Sequence, residues 1–504
     1  MRLAILRPEY TVPSGYCGRM ASTGTRLRNY IGGAWVDSAA SESLEDRDPS
    51  SGELLAEVPL STAEDVDAAV RAAQGARREW ADLAPQRRAR ALFMLRDRLW
   101  AHRGELAAIV TEDMGKALDD ASGEVLRGIE SVETACGAPS LLKGENLEGI
   151  ASGMDVEQWR QPVGVVAAIT PFNFPVMIPL WFLPYALATG NTFILKPSER
   201  DPRPSQRIFE LIDEIEEIPA GVVNLVHGAH DAVNGLLTHE GIDAISFVGQ
   251  ASTARYVMEQ GMKTGKRVQA LGGAKNSIVI MPDADLEAAM PNVMGSAFGN
   301  AGQRCLAGSV AVIVGDETRR AEVREALAEA ARVLPTGAGD EEGVVCPPMV
   351  GPDARDRVSD AVDRAVEEGA EMVIDGRGIT NEAGALMGPT ILAAADRTSE
   401  LVREELFGPV LALVDVADLD EALEFVNGSR YGNSSSIFTA SGAAARRYRK
   451  DVEAGMLGIN IGVPAPVAWF PFAGWKDSMV GDLHANGSDA IEFYTRKKVV
   501  TSRW

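Results

Sequence analysis

The amino-acid sequence predicts an α/β protein made of two successive units of parallel sheet with helices packed on them. Three observations lead there. The chain has 504 residues, 46% hydrophobic and 24% charged, enough for a large buried core and for several domains of about 150 residues each. Beyond about residue 140, short β-rich runs alternate with helical stretches, the pattern of parallel strands joined by helical crossovers. The alternation occurs twice over, which implies two domains with a cleft between them.

Residues 1 to about 25 mix Pro, Gly, Ser and Thr without periodicity and read as a mobile leader, with Met20 as an alternative start. Ser61 and Glu64 have the spacing of a capping box ahead of the helical run DVDAAVRAAQGARREW, and Pro85 fits the first turn of a second helix running through Leu99. The segment to about 140 is therefore expected to be mainly helical. VGVVAAI, NTFILK, GVVNLVHG and AISFVG follow as strands, spaced by helices such as Ser205 to Ile215. From Pro162 to Leu195 the chain carries no Asp, Glu, Lys or Arg, long enough to raise the question of a membrane span. Pro171, Pro175, Pro179 and Pro184 break any such helix and fit buried strand and turn better. The second alternation places NSIVIM, VAVIVG, EMVIDG and VLALVDV among helices such as Glu317 to Val333 and Asp353 to Glu368. Met154 to Arg160 and the C-terminal DAIEFYTRKKVVTSRW read as strands, either pairing across a subunit boundary or lying as plain edges.

Forty-nine basic residues against 72 acidic ones leave a net charge of −23. That field repels phosphate backbones and anionic lipid heads, so neither nucleic acid nor a membrane is expected as a partner. The basic residues are mostly Arg, and with so many carboxylates the composition suggests a protein kept soluble in concentrated salt, where screening relieves self-repulsion. Cys17, Cys136, Cys305 and Cys346 form neither a disulfide framework nor a paired zinc signature. No metal site is expected, and a reducing cytoplasm is. The opening MRLAILRPEY has an apolar run of Leu3 to Leu6 only, too short for the apolar core of an export signal.

Four windows carry chemistry. Cys305 in FGNAGQRCLAGS is flanked by small residues that permit approach to the sulfur and by Arg304, whose charge should favour thiolate. A buried structural cysteine is the bland alternative, and Cys17, Cys136 and Cys346 are read that way. Asn173 in ITPFNFP follows a buried strand, where its amide could serve an oxyanion or merely close a turn. Lys196 and Glu199 in LKPSER end the next strand, where α/β sheets bind ligands, although a solvated charge cluster would look the same. Gly249 in ISFVGQAST ends a strand directly before a helix and suits a phosphate at that helix N-terminus, without a GxGxxG fingerprint.

Together, PFNFP, LKPSE, SFVG, GQRC and EELFGPV, in this order over about residues 26 to 504, resemble the NAD(P)-dependent aldehyde dehydrogenase superfamily. QALGGAKN, NAGQRCLAGS, GWKDSMVGDLHANG and the ending FYTRKKVVTSRW resemble its methylmalonate-semialdehyde dehydrogenase branch, which uses coenzyme A. The resemblance implies a Rossmann-like NAD-binding domain (26–145 and 162–271), a catalytic α/β domain (272–475) and a small β oligomerisation element (146–161 and 486–504) in a homodimer or homotetramer. It implies Cys305 as nucleophile and Asn173 as oxyanion donor. Thr170 and Phe172 would line the nicotinamide side of the cleft, and Lys196, Glu199 and Arg200 would hold the adenosine ribose. Gly249 and Gln250 would lie near the diphosphate, with Glu405 and Phe407 at the nicotinamide ribose and ring, and Gly272 would also contact the cofactor. Arg127 and Arg304 would grip a substrate carboxylate, although Arg127 could instead pair with Glu124 or Glu130.

The sequence departs from the family pattern in informative places. Hydrolytic members carry a Glu that activates water, and the matching position here is Leu271, with Gln269, Ala270 and Gly272 beside it. Without that base a thioacyl enzyme should resist water and pass its acyl group to another thiol. Gln250 replaces a usual small hydroxyl residue and Ala254 a usual glycine. The expected activity is NAD-dependent oxidation of malonate or methylmalonate semialdehyde to an acyl-CoA with loss of carbon dioxide. The alternatives are a dehydrogenase releasing free acid and a cysteine acyltransferase with no redox cofactor.

Overall fold

The computed structural model describes residues 24–394 and 396–504, so Cys17, Met20 and nearly all of the expected leader lie outside the described residues. Its largest sheet has eight strands in the order Met479–Val480, Arg267–Gly272, Ala244–Gly249, Val165–Ile169, Thr192–Lys196, Val223–Leu225, Asn29–Ile31 and Ala34–Val36. The five inner strands are parallel, and antiparallel strands close both edges. After Val165–Ile169 the chain builds outward on one side, then crosses to Ala244–Gly249 on the other. This reversal opens a crevice at the strand C-termini, where α/β sheets take ligands.

Val165–Ile169 is buried on both faces, as its unbroken apolar run requires. Val166 and Ala168 face a cluster that includes the helix Met177–Thr189, while Val165, Ala167 and Ile169 face Val66, Ala69 and Val70 of the helix Ala63–Asp82. A second, seven-stranded sheet runs Glu371–Ile374, Thr390–Ala393, Val410–Val416, Gly308–Val314, Asn276–Ile280, Ser434–Phe438 and Met456–Ile459. Six of these strands are parallel. EMVIDG supplies the exception, an antiparallel edge. A three-stranded sheet joins Glu145–Ala151, Met154–Pro162 and Thr495–Arg503, the last two pairing within the chain.

The structure corrects several expectations. The first long helix is capped by Thr62 with Asp65 in a reciprocal capping box, not by Ser61 and Glu64; the Ser61 hydroxyl instead meets Asn29. Residues 24–60 are largely strand and turn, because Asn29–Ile31 and Ala34–Val36 extend the large sheet and Ser43–Arg47 pairs with Leu54–Pro59. The proline-rich apolar stretch contains a true helix, Met177–Thr189. Pro179 falls in its first turn, where no N–H partner is lost, and Pro184 removes only the bond to Leu180. Nearly complete burial outweighs that loss, since a helix apolar all round belongs in a core. Among the described residues no helix is long and apolar enough to cross a membrane. Finally, DAIEF belongs to a short helix, Gly487–Phe493, that buries Ala490, Ile491 and Phe493 before the terminal strand begins.

Candidate active site

Cys305 lies where two cavities meet. It lines a cavity of about 270 Å³ together with Arg127, Arg304 and Trp181, and also a larger one of about 580 Å³ at the C-terminal ends of the large sheet's strands. Thr170, Phe172, Asn173, Glu199, Arg200, Gly249, Gln250, Gly272, Glu405 and Phe407 line the larger cavity. Lys196 stands behind its wall and donates to Glu199 Oε2 at 2.7 Å. Every residue assigned a catalytic, cofactor or substrate role from the sequence is therefore at these cavities or in direct contact with their lining.

The loop carrying Cys305 is held by bonds to its backbone. The Cys305 carbonyl accepts from Asn276 Nδ2 at 2.8 Å and Asn433 Nδ2 at 2.7 Å. The preceding turn carries Asn300 and Ala301 at φ 54 and 52, strained for residues with a Cβ. Asn173 comes to the same loop and donates from Nδ2 to the Gln303 carbonyl at 3.1 Å. A fully buried ion pair holds Asn173 from behind. Lys116 pairs with Glu124 and donates to the Asn173 carbonyl at 2.7 Å. Glu124 Oε1 accepts from the Val176 and Met177 amides at 2.9 and 3.1 Å, which also places its charge at the favourable end of the helix Met177–Thr189.

The electrostatics of Cys305 differ from the expectation. Burial, reinforced by the charge of Glu405, pushes its thiol up to about 12, and Arg304 opposes this only weakly. The cause is orientation: Arg304 turns its guanidinium to Asp120 and to the Gly295 carbonyl, the latter at 3.0 Å. Glu405 is itself pushed up to about 7 by burial, against the charge of Lys275. Burial also opposes the ionised form of Glu199, but Lys196 and Arg200 hold its carboxyl below the usual range. Arg127 reaches Glu130 at 3.0 Å.

The larger cavity fits a dinucleotide. Thr170 Oγ1 is buried with no hydrogen-bond partner among the described residues. The helix Ala251–Lys263 begins on the rim with no side-chain cap, leaving its first amides open to an anion. At Gly272 a Cβ would come within 2.8 Å of Ala254 Cβ and 2.9 Å of the Gly249 carbonyl, so Ala254 occupies space that a larger residue at 272 would need. Leu271 also lines this cavity, and no carboxylate comes from its strand, Arg267–Gly272.

Sequence reasoning missed Lys116, Asn276 and Asn433 altogether. It treated Glu124 as a surface partner for Arg127, because nothing local in LDDASGEVLRG distinguishes a buried carboxylate from a solvated one.

The aldehyde dehydrogenase family model matches residues 35–500. The chain is 49% identical over 504 residues to malonate-semialdehyde dehydrogenase 1 of Geobacillus kaustophilus, covering all of both chains. It is similar to the crystal structure of methylmalonate-semialdehyde dehydrogenase from Oceanimonas doudoroffii, at 42% identity and TM-score 0.92 over 95% of this chain and 98% of that one. A Sinorhizobium meliloti structure described as a methylmalonate-semialdehyde dehydrogenase complexed with NAD shares 40% identity and TM-score 0.93, covering 96% and 99%. With a cysteine at the junction of two cavities, and relatives matched from end to end, the chain belongs to the aldehyde dehydrogenase family.

Proposed function

We propose that the protein oxidises malonate or methylmalonate semialdehyde to an acyl-CoA, with NAD in the larger cavity and the aldehyde in the smaller one. The observation that carries this reading is Cys305 at their junction with Arg127 and Arg304 lining the aldehyde side. Lys196, Glu199 and Arg200 would hold the adenosine ribose, Gly249 and Gln250 the diphosphate, and Thr170, Phe172, Glu405 and Phe407 the nicotinamide riboside, with Gly272 in the cofactor's wall. When bound, NAD supplies the acceptor for the aldehyde hydrogen.

The chain's own groups do the rest. The Cys305 thiol gives its proton to water in the cavity it lines, and its sulfur, as thiolate, forms a bond to the aldehyde carbon. Asn173 Nδ2, released from the Gln303 carbonyl, and the Cys305 N–H donate to the oxygen that becomes negative. Arg127 and Arg304 orient the substrate through its carboxylate with planar, always-charged forks. Loss of the hydride leaves a thioester on Cys305. Leu271 offers no base to activate water against it, so the coenzyme A thiol attacks and the Cys305 sulfur leaves. The acyl group from malonate semialdehyde is a malonyl thioester, whose carboxylate departs as carbon dioxide while the α-carbon left with the electron pair takes a proton from water to become an acetyl group.

Residues 26–145 and 162–271 would form the NAD-binding domain and 272–475 the catalytic domain, with 146–161 and 486–504 joining subunits of a dimer or tetramer. Leu147, Trp159 and Val499, exposed on the small sheet, support the last assignment. We further infer adaptation to salt from the charge of −23, and a reducing cytoplasm from cysteines that form no disulfide framework. The deciding experiment follows NADH absorbance and acyl-CoA with each semialdehyde, with and without coenzyme A. NADH formation that needs coenzyme A for sustained turnover supports the reading, and free acid released at full rate without it overturns the acylating step.

A further inference from the structure

Both arginines assigned above to the substrate carboxylate already face carboxylates of the protein. The two pairs are built differently. Arg127 and Glu130 sit one helical turn apart with side chains 40% and 42% exposed, a contact that water weakens. Arg304 is seated. Its side chain is only 15% exposed, Nη1 donates to the Gly295 carbonyl at 3.0 Å, and a Cβ on Gly299 would come within 2.7 Å of the same nitrogen. A substrate carboxylate must therefore meet this guanidinium where it stands, in competition with Asp120.

Asp120 has room to leave. Its side chain is 37% exposed, and it lines both the 270 Å³ cavity and a third one of about 470 Å³ that also touches Arg304. A carboxylate moving off the guanidinium toward that open space is solvated again, so one carboxylate can replace another without leaving a buried charge unpaired.

We propose that Asp120 is an internal stand-in for the substrate carboxylate, holding Arg304 in place before the aldehyde binds and yielding it when the aldehyde arrives. The inference rests on Arg304 as a substrate ligand. It makes Asp120 a specificity-determining residue: a carboxylated aldehyde must displace it, whereas propanal, which has no carboxylate, gains nothing by doing so.

The test compares malonate semialdehyde with propanal in Asp120→Asn and, as a second variant that does not rely on an amide, Asp120→Ser. Removing the competing charge should raise the kcat/KM preference for malonate semialdehyde about tenfold or more, the scale of one charge-assisted contact. The gain should reside in a lower KM, with kcat nearly unmoved, which damage to the fold would not produce. A preference that stays level or falls in whichever variant folds, while the unmutated enzyme still favours malonate semialdehyde, overturns the exchange alone. No preference in the unmutated enzyme overturns the carboxylate reading and the exchange with it.

Discussion

Replacing Glu124 by Gln would preserve the shape of the helix that carries it but leave the Lys116 ammonium without its counter-charge. Lys116 is 1% exposed and packs 4.0 Å from the Phe174 ring, so water cannot take over. The Gln oxygen could still accept from the Val176 and Met177 amides, which confines the loss to the ion pair. Removing one partner of a buried pair costs about 3–5 kcal/mol. The accessible relief is for Lys116 to let go of the Asn173 carbonyl and shift the loop, which misplaces the oxyanion donor. Losing such a donor outright costs about 10²–10³ in rate, so kcat should fall at least about tenfold and no further than that ceiling. NAD binding, measured by fluorescence titration, should stay nearly intact, and the unfolding temperature should drop. Pairing Lys116→Met with Glu124→Gln removes both charges while the Gln oxygen still accepts from the two amides, so it should recover stability without recovering kcat, because the Asn173 carbonyl then has no donor. A Glu124→Gln enzyme with unchanged kcat and unfolding temperature would refute the reasoning that this ion pair positions Asn173.

Further outcomes follow from the same geometry. With the Cys305 thiol pushed up to about 12, its alkylation by iodoacetamide in the free enzyme should rise about tenfold per pH unit between about pH 7 and 9; a plateau below about pH 8 contradicts burial as the governing cause. Glu405, raised by burial to about 7, holds its proton longer folded than unfolded, so its contribution to stability falls as pH rises from about 4.5 to 7 and stays low above. Glu405→Gln should therefore lose less unfolding temperature than the parent between about pH 5 and 8, and an equal loss counts against the assignment. Leu271→Glu should divert product from acyl-CoA toward free acid by activating water, and CoA-independent hydrolysis already rapid in the parent would contradict the premise. Arg304→Leu or Arg127→Leu should weaken use of malonate semialdehyde by about tenfold or more while sparing propanal; equal losses on both would mean a structural role.

How far the sequence could be read depended on the range of the forces involved. The inner strands were legible because burial on both faces demands runs such as VVAAI and TFILK, and no other segment type meets that demand so briefly. Cys305, Asn173 and Glu199 stood out through short windows of distinctive residues, although distant groups fix their loops: Asn276 and Asn433 hold the Cys305 carbonyl, and Lys116 the Asn173 carbonyl. The helix Met177–Thr189 was not, because the rule against proline is local while the burial that overrides it comes from elements distant in sequence. Thr62 took the cap expected of Ser61 because Asn29, far away in sequence, claims the Ser61 hydroxyl. For Arg304, adjacency to Cys305 gave the right sign but not the weight: its charge does favour the thiolate, yet the side chain turns to Asp120, and burial together with the charge of Glu405 outweighs it.

The same pairing decides how the smaller cavity can prefer an anion in so acidic a protein. Among the described residues that line it, the cations are Lys116, Arg127 and Arg304, and the carboxylates Asp120, Glu124 and Glu130. Each cation has its own carboxylate. The cavity's own charges therefore leave no surplus positive charge to attract a substrate, and attraction alone cannot explain selectivity. What separates the three pairs is whether the internal carboxylate can be solvated on leaving. Glu124 cannot, being fully buried and fixed by two backbone amides, so Lys116 is committed to structure. Asp120 and Glu130 can, since both reach solvent. If the arginines bind substrate as proposed, its carboxylate would exchange only with the pairs at the two arginines, and the preference it experiences would be the difference between its own bidentate contact and the one it displaces. Selectivity of this kind should weaken little with ionic strength, because the pair count is the same before and after binding; a KM for malonate semialdehyde that climbs steeply between low and molar salt, while that for propanal stays level, would show that net attraction governs instead.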